Sequence, residues 1–405
     1  MKPIVRAGRM KPVHSDIRGP LFVEAMKRQK QGIDILKLNT GNPATFGFGL
    51  PDSIKNALME HMQDGVGYCD FKGMPQARQA ICDYETSKGI KGITPDDVFI
   101  GNGVSEVVSF ALTPLLNDGD EVLVPSPSYS LWGNSVYLED GKPVFYTCDE
   151  QANWYPDIQD IRSKITDKTK AIVIINPNNP TGVLYPKEIL LEIIQIAREF
   201  GLLIFADEIY DRLVMDGKQH ISLASLTEDV PVITLNGLSK SHCLCGYRCG
   251  WMVISGPREL TEDYRQGIIQ LTSLRLCANT MAQIVIPAAL DDMETPASMV
   301  RPGGRIYEQR EATVRELEKI DGLSFVKNDA AFYVFPKLDV KKFNITNDKQ
   351  FAHDLLDVTN ILLVPGSGFD WKDPDHFRIV MLPQADILSD AIRRMGTFLD
   401  GYKQK

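Results

Sequence analysis

Six short apolar runs, separated by longer stretches that mostly carry helical period, dominate the chain between about residues 97 and 255. They are VFIG from Val98, EVLVP from Glu121, KPVFY from Lys142, AIVIIN from Ala171, LLIFAD from Leu202 and VITLN from Val232. Most are nearly continuous in apolar residues, as strands covered on both faces should be. The stretch KEILLEIIQIAREFG, from Lys187 to Gly201, repeats its apolar positions at helical spacing and ends on a capping glycine. This strand–helix alternation predicts an α/β fold, with a mostly parallel sheet and helices on both faces. A seventh run, GWMVIS from Gly250, follows VITLN after a short connector. A parallel crossover needs about a dozen residues or more, and this connector leaves no room for an ordinary helix. The seventh strand of the predicted seven-stranded sheet is therefore expected to be antiparallel.

The rhythm stops at TPASMVRPGGR, from Thr295 to Arg305, where proline and glycine cluster. A long polar helix is expected next, then short strands in AFYVFP from Ala331, ILLVPG from Ile361 and HFRIVML from His376. The organisation predicted is a large unit over residues 51–295 and a smaller α+β unit over 296–405. The first fifty residues, rich in turn signals, are expected to pack on the small unit or on a partner subunit.

Composition narrows the function. The 405 residues are 43% hydrophobic, which allows a sizeable core, and 44 Lys and Arg stand against 53 Asp and Glu for a net charge of −9. That acidity argues against a nucleic-acid or anionic-membrane partner. The segment MKPIVRAGRMKPVHSDIRGP lacks the apolar centre of a signal peptide, and no run is long enough to cross a bilayer. Seven cysteines without scaffold-like spacing fit a reducing compartment. A soluble cytoplasmic protein is expected.

Candidate chemistry concentrates at strand ends, where α/β sheets bind ligands. Lys240, in NGLSKSHCLCGYRCGW, follows VITLN through the turn Asn236-Gly237 and is flanked by Ser239 and Ser241. A lysine in this setting is either a solvated charge or an amine poised to form an imine. Arg248, eight residues on, is suited to lowering its pKa and gripping a phosphate. Aldehyde and phosphate in one molecule describe pyridoxal phosphate. Asp207, in LLIFADEIYDR, either caps a following helix or keeps the cofactor's ring nitrogen protonated. Tyr210 lies three residues later, and NPNNPTG, which carries Asn178 and Asn179, is either a rigid turn or brings the Asn179 amide to the ring's phenolic oxygen.

Weaker signals surround these. IGNGVSE places Ser105 before a helical stretch whose N-terminus can hold a phosphate. Tyr129, in SPSY, either stacks on a ring or fills the core. Arg378, in HFRIVML, is either an exposed strand residue or a bidentate grip on a substrate carboxylate. Cys243, Cys245 and Cys249 lie beside His242, but the spacing matches no common zinc pattern and no second ligand pair follows, so no metal is expected. A nicotinamide-dependent dehydrogenase needs G-x-G-x-x-G, of which GNGVSE has only the first two glycines. A cofactor-sensing regulator needs a DNA-binding module, for which neither charge nor length provides.

NPNNPTG, ADEIY and SK followed by GYRCGW, in this order and spacing, resemble the class I/II aminotransferases, which are fold type I pyridoxal-phosphate enzymes. The resemblance runs from about Leu38 to Phe398. DIRGPL from Asp16, LNTGNP from Leu38, GYCDFKG from Gly67, RLCAN from Arg275 and RPGGRIYEQR from Arg301 look most like alanine (glutamate–pyruvate) aminotransferases. The resemblance implies that Lys240 carries the cofactor, that Asp207 pairs with its ring nitrogen, and that Asn179 and Tyr210 contact its phenolic oxygen. It implies Tyr129 stacked on the ring and a phosphate surrounded by Val104, Ser105, Ser239 and Arg248, with Tyr68 reaching in from the neighbouring subunit of a homodimer. It also implies a substrate α-carboxylate clamped by Arg378, with Gly41 and Asn179 close by. Small amino acids and 2-oxo acids are the implied substrates, exchanging an amino group by ping-pong kinetics. One pocket must then admit both alanine and glutamate. Arg18 is the candidate cation for the second carboxylate, with Arg275 behind it. Aspartate or aromatic transamination, or a β-lyase on the same scaffold, are the neighbouring chemistries.

Overall fold

A computed structural model describes residues 2–405. Its centre is one sheet of eight strands: β1 (Val98–Gly101), β2 (Glu121–Ser126), β3 (Lys142–Asp149), β4 (Tyr155–Pro156), β5 (Thr169–Ile175), β6 (Leu203–Asp207), β7 (Val232–Gly237) and β8 (Gly250–Ser255). Their order across the sheet is β1-β8-β7-β6-β5-β2-β3-β4. The pairs β2/β3, β2/β5, β5/β6 and β6/β7 are parallel. β8 runs antiparallel to both β1 and β7, as its short connector requires. The eighth strand departs from the seven expected. β4 is two residues long and antiparallel to the end of β3, too short to leave a hydrophobic pattern.

The apolar runs are continuous because alternate side chains enter two different cores. Ile172 and Ile174 of β5, with Ile204 of β6, pack against Leu190, Ile193, Ile194 and Ala197 of the helix α2 (Lys187–Phe200). Val173, Ile175, Phe205 and Leu235 face the other way, toward Val107 and Val108 of the helix α1 (Val104–Leu112). Helix α2 ends on Gly201 at φ 67°, the left-handed C-cap foreseen from sequence. Among the described residues no single helix is long and apolar enough to cross a membrane.

Register brings the chemistry to one edge of this sheet. Ile175 pairs with Asp207, Asp207 with Leu235, Gly237 with Gly250, and Gly250 with Gly101. The segments leaving β1, β5, β6 and β7 therefore start side by side. Facing them is a layer built from both chain ends. Leu36–Lys37 pairs in parallel with Ile361–Leu362, and strands β9 (Tyr333–Val334), β10 (Val364–Pro365) and β11 (Phe377–Val380) form a small sheet with β11 in the middle. Leu38, Leu317, Phe351, Leu388 and Ile392 contribute to its core. That core fixes β11, and with it Arg378, opposite the strand ends.

Candidate active site

Between the sheet edge and this layer lies a cleft of about 860 Å³. Lys240, Asp207, Tyr210, Asn179 and Arg378 line it, and Tyr129 stands half-open at its side rather than in the core. Val104, Ser105, Ser239, Arg248, Gly41 and Arg18 line it as well.

Lys240 sits in the short helix Leu238–Ser241 directly after β7. Its Nζ donates to the Gly41 carbonyl at 3.0 Å, and the Phe332 ring lies 5.8 Å away. Gly41 has to be glycine here, since a Cβ would stand 2.3 Å from Tyr333 Oη. The amine is thus presented to the cleft and tied to one carbonyl.

Asp207 ends β6 and is buried. No helix follows it, so the capping role does not arise. Its Oδ2 accepts from Trp132 Nε1 at 3.1 Å, and its Oδ1 accepts a long bond from the Ile209 amide at 3.4 Å. Burial pushes its pKa from 3.8 up to about 6, against the opposing pull of those bonds and of the Lys240 charge. A buried carboxylate with no cation bonded to it is well placed to hold a protonated ring nitrogen. Tyr210 is also buried and shares a 2.8 Å hydrogen bond with Tyr333 Oη.

The two asparagines of NPNNPTG divide their work. Asn178 turns inward, where its Oδ1 accepts from the Thr181 hydroxyl at 3.0 Å and amide at 3.3 Å and so holds the turn. Asn179 faces the cleft, and its Oδ1 accepts from Arg378 Nη1 at 2.9 Å. Arg378 is completely buried, contrary to the exposed-strand reading. Its Nη2 donates to the Asn39 carbonyl, its Nε has no partner, and the rings of Tyr333 and Phe369 lie 4.6 Å from the guanidinium. Among the described residues no carboxylate pairs with it. A buried cation without a counter-ion is costly, and an incoming carboxylate removes that cost.

At the far end of the cleft α1 begins after Gly103, at φ +84°. A Cβ on Gly103 would stand 2.2 Å from Arg248 Nη2, so only glycine lets the guanidinium close over the helix start. Free N–H groups of the first turn, the Ser105 and Ser239 hydroxyls and the exposed Arg248 make a fitting cradle for a phosphate. The three cysteines do not converge. Cys245 Sγ meets Asn42 Oδ1 at 3.1 Å, Cys243 Sγ meets Met299 Sδ at 3.9 Å, and Cys249 is buried. Burial pushes the Cys243 and Cys249 thiols up to about 12.

Two sequence-predicted residues lie outside the cleft. Tyr68 is 84% exposed on the surface of the chain. Arg275 bonds Glu106 Oε2 at 2.6 Å and the carbonyls of Phe71 and Ile100 at 3.2 Å, tying the end of β1 to α1. With its charge paired to Glu106 and its side chain outside the cleft lining, it does not reach a distal carboxylate there. Arg18 keeps its place, exposed on the cleft wall without an ion pair among the described residues.

Trp132, Tyr333 and a network behind the strand ends were not foreseen. Trp132 lies in an apolar helix, where a tryptophan reads as core, and the AFYVFP run hides Tyr333 in the same way. In the network Lys88 Nζ meets Glu85 Oε2 at 2.6 Å, Glu208 Oε2 at 2.8 Å and Asp211 Oδ2 at 3.2 Å. Asp211 also accepts from Asn236 Nδ2 at 2.7 Å, and Asn236 Oδ1 holds the Gly237 amide at 2.7 Å. The turn bearing Asp207 and Tyr210 is thereby fastened to the turn bearing Lys240. Glu208, Asp211 and His220 gather closely enough to suit a metal ion, but the Lys88 ammonium already bonds both carboxylates. Lys88→Met leaves three buried carboxylates without their cation. It is expected to cost about 3–5 kcal/mol of stability, seen as a lower thermal midpoint. An unchanged midpoint would remove the network from the account.

The pattern of the family aminotransferase class I and II matches residues 33–392. Glutamate–pyruvate aminotransferase AlaA of Haemophilus influenzae is 50% identical over the full length of both chains. Among solved structures, an aminotransferase from Escherichia coli superposes with a TM-score of 0.98 at 47% identity, covering 100% of both chains. Alanine aminotransferase from Pyrococcus furiosus gives 0.93 at 41% identity, covering 98% of this chain and 99% of that one. Sheet order, strand-end chemistry and full-length similarity converge, and the chain belongs to the class I and II aminotransferases.

Proposed function

We propose that this protein is a pyridoxal-phosphate-dependent transaminase that converts L-alanine and 2-oxoglutarate to pyruvate and L-glutamate by a ping-pong mechanism. The observation that carries the reading is the buried Arg378, lacking a counter-ion, in one cleft with the Lys240 amine and the Asp207 carboxylate. The names of the relatives from Haemophilus influenzae and Pyrococcus furiosus support alanine and pyruvate as the small substrate pair.

The residues present fit the cofactor at each end. Val104, Ser105, Ser239 and Arg248 would hold its phosphate, Asp207 its ring nitrogen, and Tyr210 with Asn179 its phenolic oxygen. Tyr129 would flank the ring, and Lys240 Nζ would hold its aldehyde carbon. When bound, pyridoxal phosphate supplies an electron sink that acidifies the α-proton of an amino acid. Arg378 grips the substrate α-carboxylate with two parallel N–H donors, and Asn179 keeps the guanidinium plane fixed. Lys240 Nζ, as a free amine, takes the proton from the substrate α-carbon. Asp207 would stay ionised beside a protonated ring nitrogen, because each charge would lower the cost of burying the other.

A cytoplasmic homodimer completes the proposal. Met59, Met62, Val66 and Tyr68 are all exposed within one short stretch, an apolar surface that a second copy would cover. Tyr68 would then reach the partner's phosphate site.

Single-turnover assays with alanine, aspartate, phenylalanine and cystathionine test the substrate assignment. Alanine is expected to react fastest of the four. Release of ammonia and pyruvate without an acceptor would instead identify a lyase. Arg378→Ala is expected to lower kcat/KM for every amino acid by about 10²-fold, because it removes one partner of a buried charge pair. Arg18→Ala is expected to cost about 10-fold for glutamate and little for alanine. Equal losses for the two substrates would exclude Arg18 as the distal cation.

A further inference from the structure

Residues 14–18 run along the mouth of the cleft, where Ser15, Ile17 and Arg18 join its lining. Their anchor is His14. Its Nε2 lies 3.0 Å from Asp370 Oδ1, and its Nδ1 lies 3.6 Å from Asp16 Oδ2. Its backbone pairs in both directions with one side-chain amide. The His14 N–H donates to Asn134 Oδ1 at 3.1 Å, and the His14 carbonyl accepts from Asn134 Nδ2 at 2.6 Å. Asn134 belongs to the helix Leu131–Leu138, which forms part of the cleft wall.

The same anchor points hold the α-carboxylate clamp. Asp370 follows Phe369, whose ring covers Arg378 at 4.6 Å. The Ile17 carbonyl accepts from Asn39 Nδ2 at 2.9 Å, and the Asn39 carbonyl accepts from Arg378. Packing is close as well, since a Cβ on Gly368 would stand 2.8 Å from Asp16 Cβ. Arg18 therefore rides on a strap registered to Arg378 from both ends.

Charge makes the anchor more than a spacer. Asp16 and Asp370 face His14, and Lys349, from the helix Asp348–Thr359, reaches Asp16 at 3.2 Å. Helix Leu131–Leu138 brings the neutral Asn134 and Tyr137, and Arg18 is the remaining charge on the strap itself. Two carboxylates against His14 and Lys349 balance only when the imidazole is protonated. With a neutral ring the cluster is one cation short. Arg18, a free cation two residues from Asp16, is then drawn toward that cluster and away from the substrate.

We propose that His14 is a positioning residue for substrate selectivity: it fastens the 14–18 strap and neutralises Asp16 and Asp370, so that Arg18 stays available to the distal carboxylate of glutamate and 2-oxoglutarate. This rests on the reading of Arg18 given above. Geometry and titration agree, because the carboxylates of Asp16 and Asp370 beside the ring hold the His14 pKa up at about 9. The imidazolium is present at neutral pH and is lost as pH rises through about 9.

The test compares kcat/KM for glutamate with that for alanine, from pH 7 to 10, in the cofactor-loaded wild type, His14→Gln and His14→Lys. Alanine cancels every pH effect common to both substrates. His14→Gln is expected to raise KM for glutamate about 10-fold at pH 7 while leaving kcat, and both constants for alanine, nearly unchanged. The wild-type glutamate-to-alanine ratio should fall through about pH 9, stay low and flat in His14→Gln, and remain high in His14→Lys, whose ammonium keeps its proton. Inhibition by glutarate, a dicarboxylate without an amine, should weaken in parallel in His14→Gln. Equal losses for alanine and glutamate, or no recovery in His14→Lys, would overturn the proposal. A wild type inert toward both amino acids would overturn the transaminase reading and this inference with it. An active wild type whose ratio ignores His14 overturns this inference alone.

Discussion

Lys240→Ala is expected to lower kcat for alanine transamination by at least about 10⁴-fold, because in the proposed mechanism one amine would both hold the cofactor and carry the α-proton. No other residue lining the cleft offers a primary amine. The fold should survive the change. Lys240 Nζ makes a single hydrogen bond, to the Gly41 carbonyl, and is half-buried, so its truncation leaves no buried charge behind. A thermal midpoint within a few degrees of wild type, alongside lost turnover, is the expected pair of results. Retained turnover would mean that the proton travels by another group.

Asp207→Asn is expected to separate stability from function. The variant keeps the shape of the side chain but cannot keep a ring nitrogen protonated, and turnover should fall about 10³-fold. Stability of the cofactor-free protein should move the other way. Asp207 has its folded pKa raised from 3.8 to about 6, chiefly by burial, so the folded state binds more protons than the unfolded state between those values. Stability is therefore lost as pH rises across that window, and the full cost is present above about pH 6. That rise corresponds to about 3 kcal/mol at neutral pH, which the neutral amide avoids. Thermal midpoints of cofactor-free wild type and Asp207→Asn, measured from pH 4 to 8, should diverge as pH rises, with the variant the more stable. Parallel curves would contradict the burial argument.

The parts of the fold that depend on burial pattern were legible in the sequence. Ile172, Val173, Ile174 and Ile175 read as a strand covered on both faces because each face meets its own core. The antiparallel course of β8 followed from connector length alone. The strand Tyr155–Pro156 was invisible, since two residues carry no period. At the site, Lys240, Asp207 and Asn179 were legible because they follow apolar runs through turn residues. Trp132 and Tyr333 were not, because an aromatic in an apolar run looks like packing until its polar tip is seen to bond Asp207 or Tyr210. Arg275 shows the converse error: sequence reveals a charge but not that Glu106 already neutralises it. Lys88 carried no signal, and His14 none beyond its place shortly before Arg18, because their roles come from carboxylates brought together only by the tertiary fold.

Every proposed step depends on the Lys240 amine being the attachment point for pyridoxal phosphate. Purified protein incubated with pyridoxal phosphate, reduced with borohydride, digested and examined by mass spectrometry tests it directly. One phosphopyridoxyl group per chain is expected, on the peptide containing Lys240, and none in Lys240→Ala. A protein that takes up no such group, or takes it up on a different lysine, would contradict it.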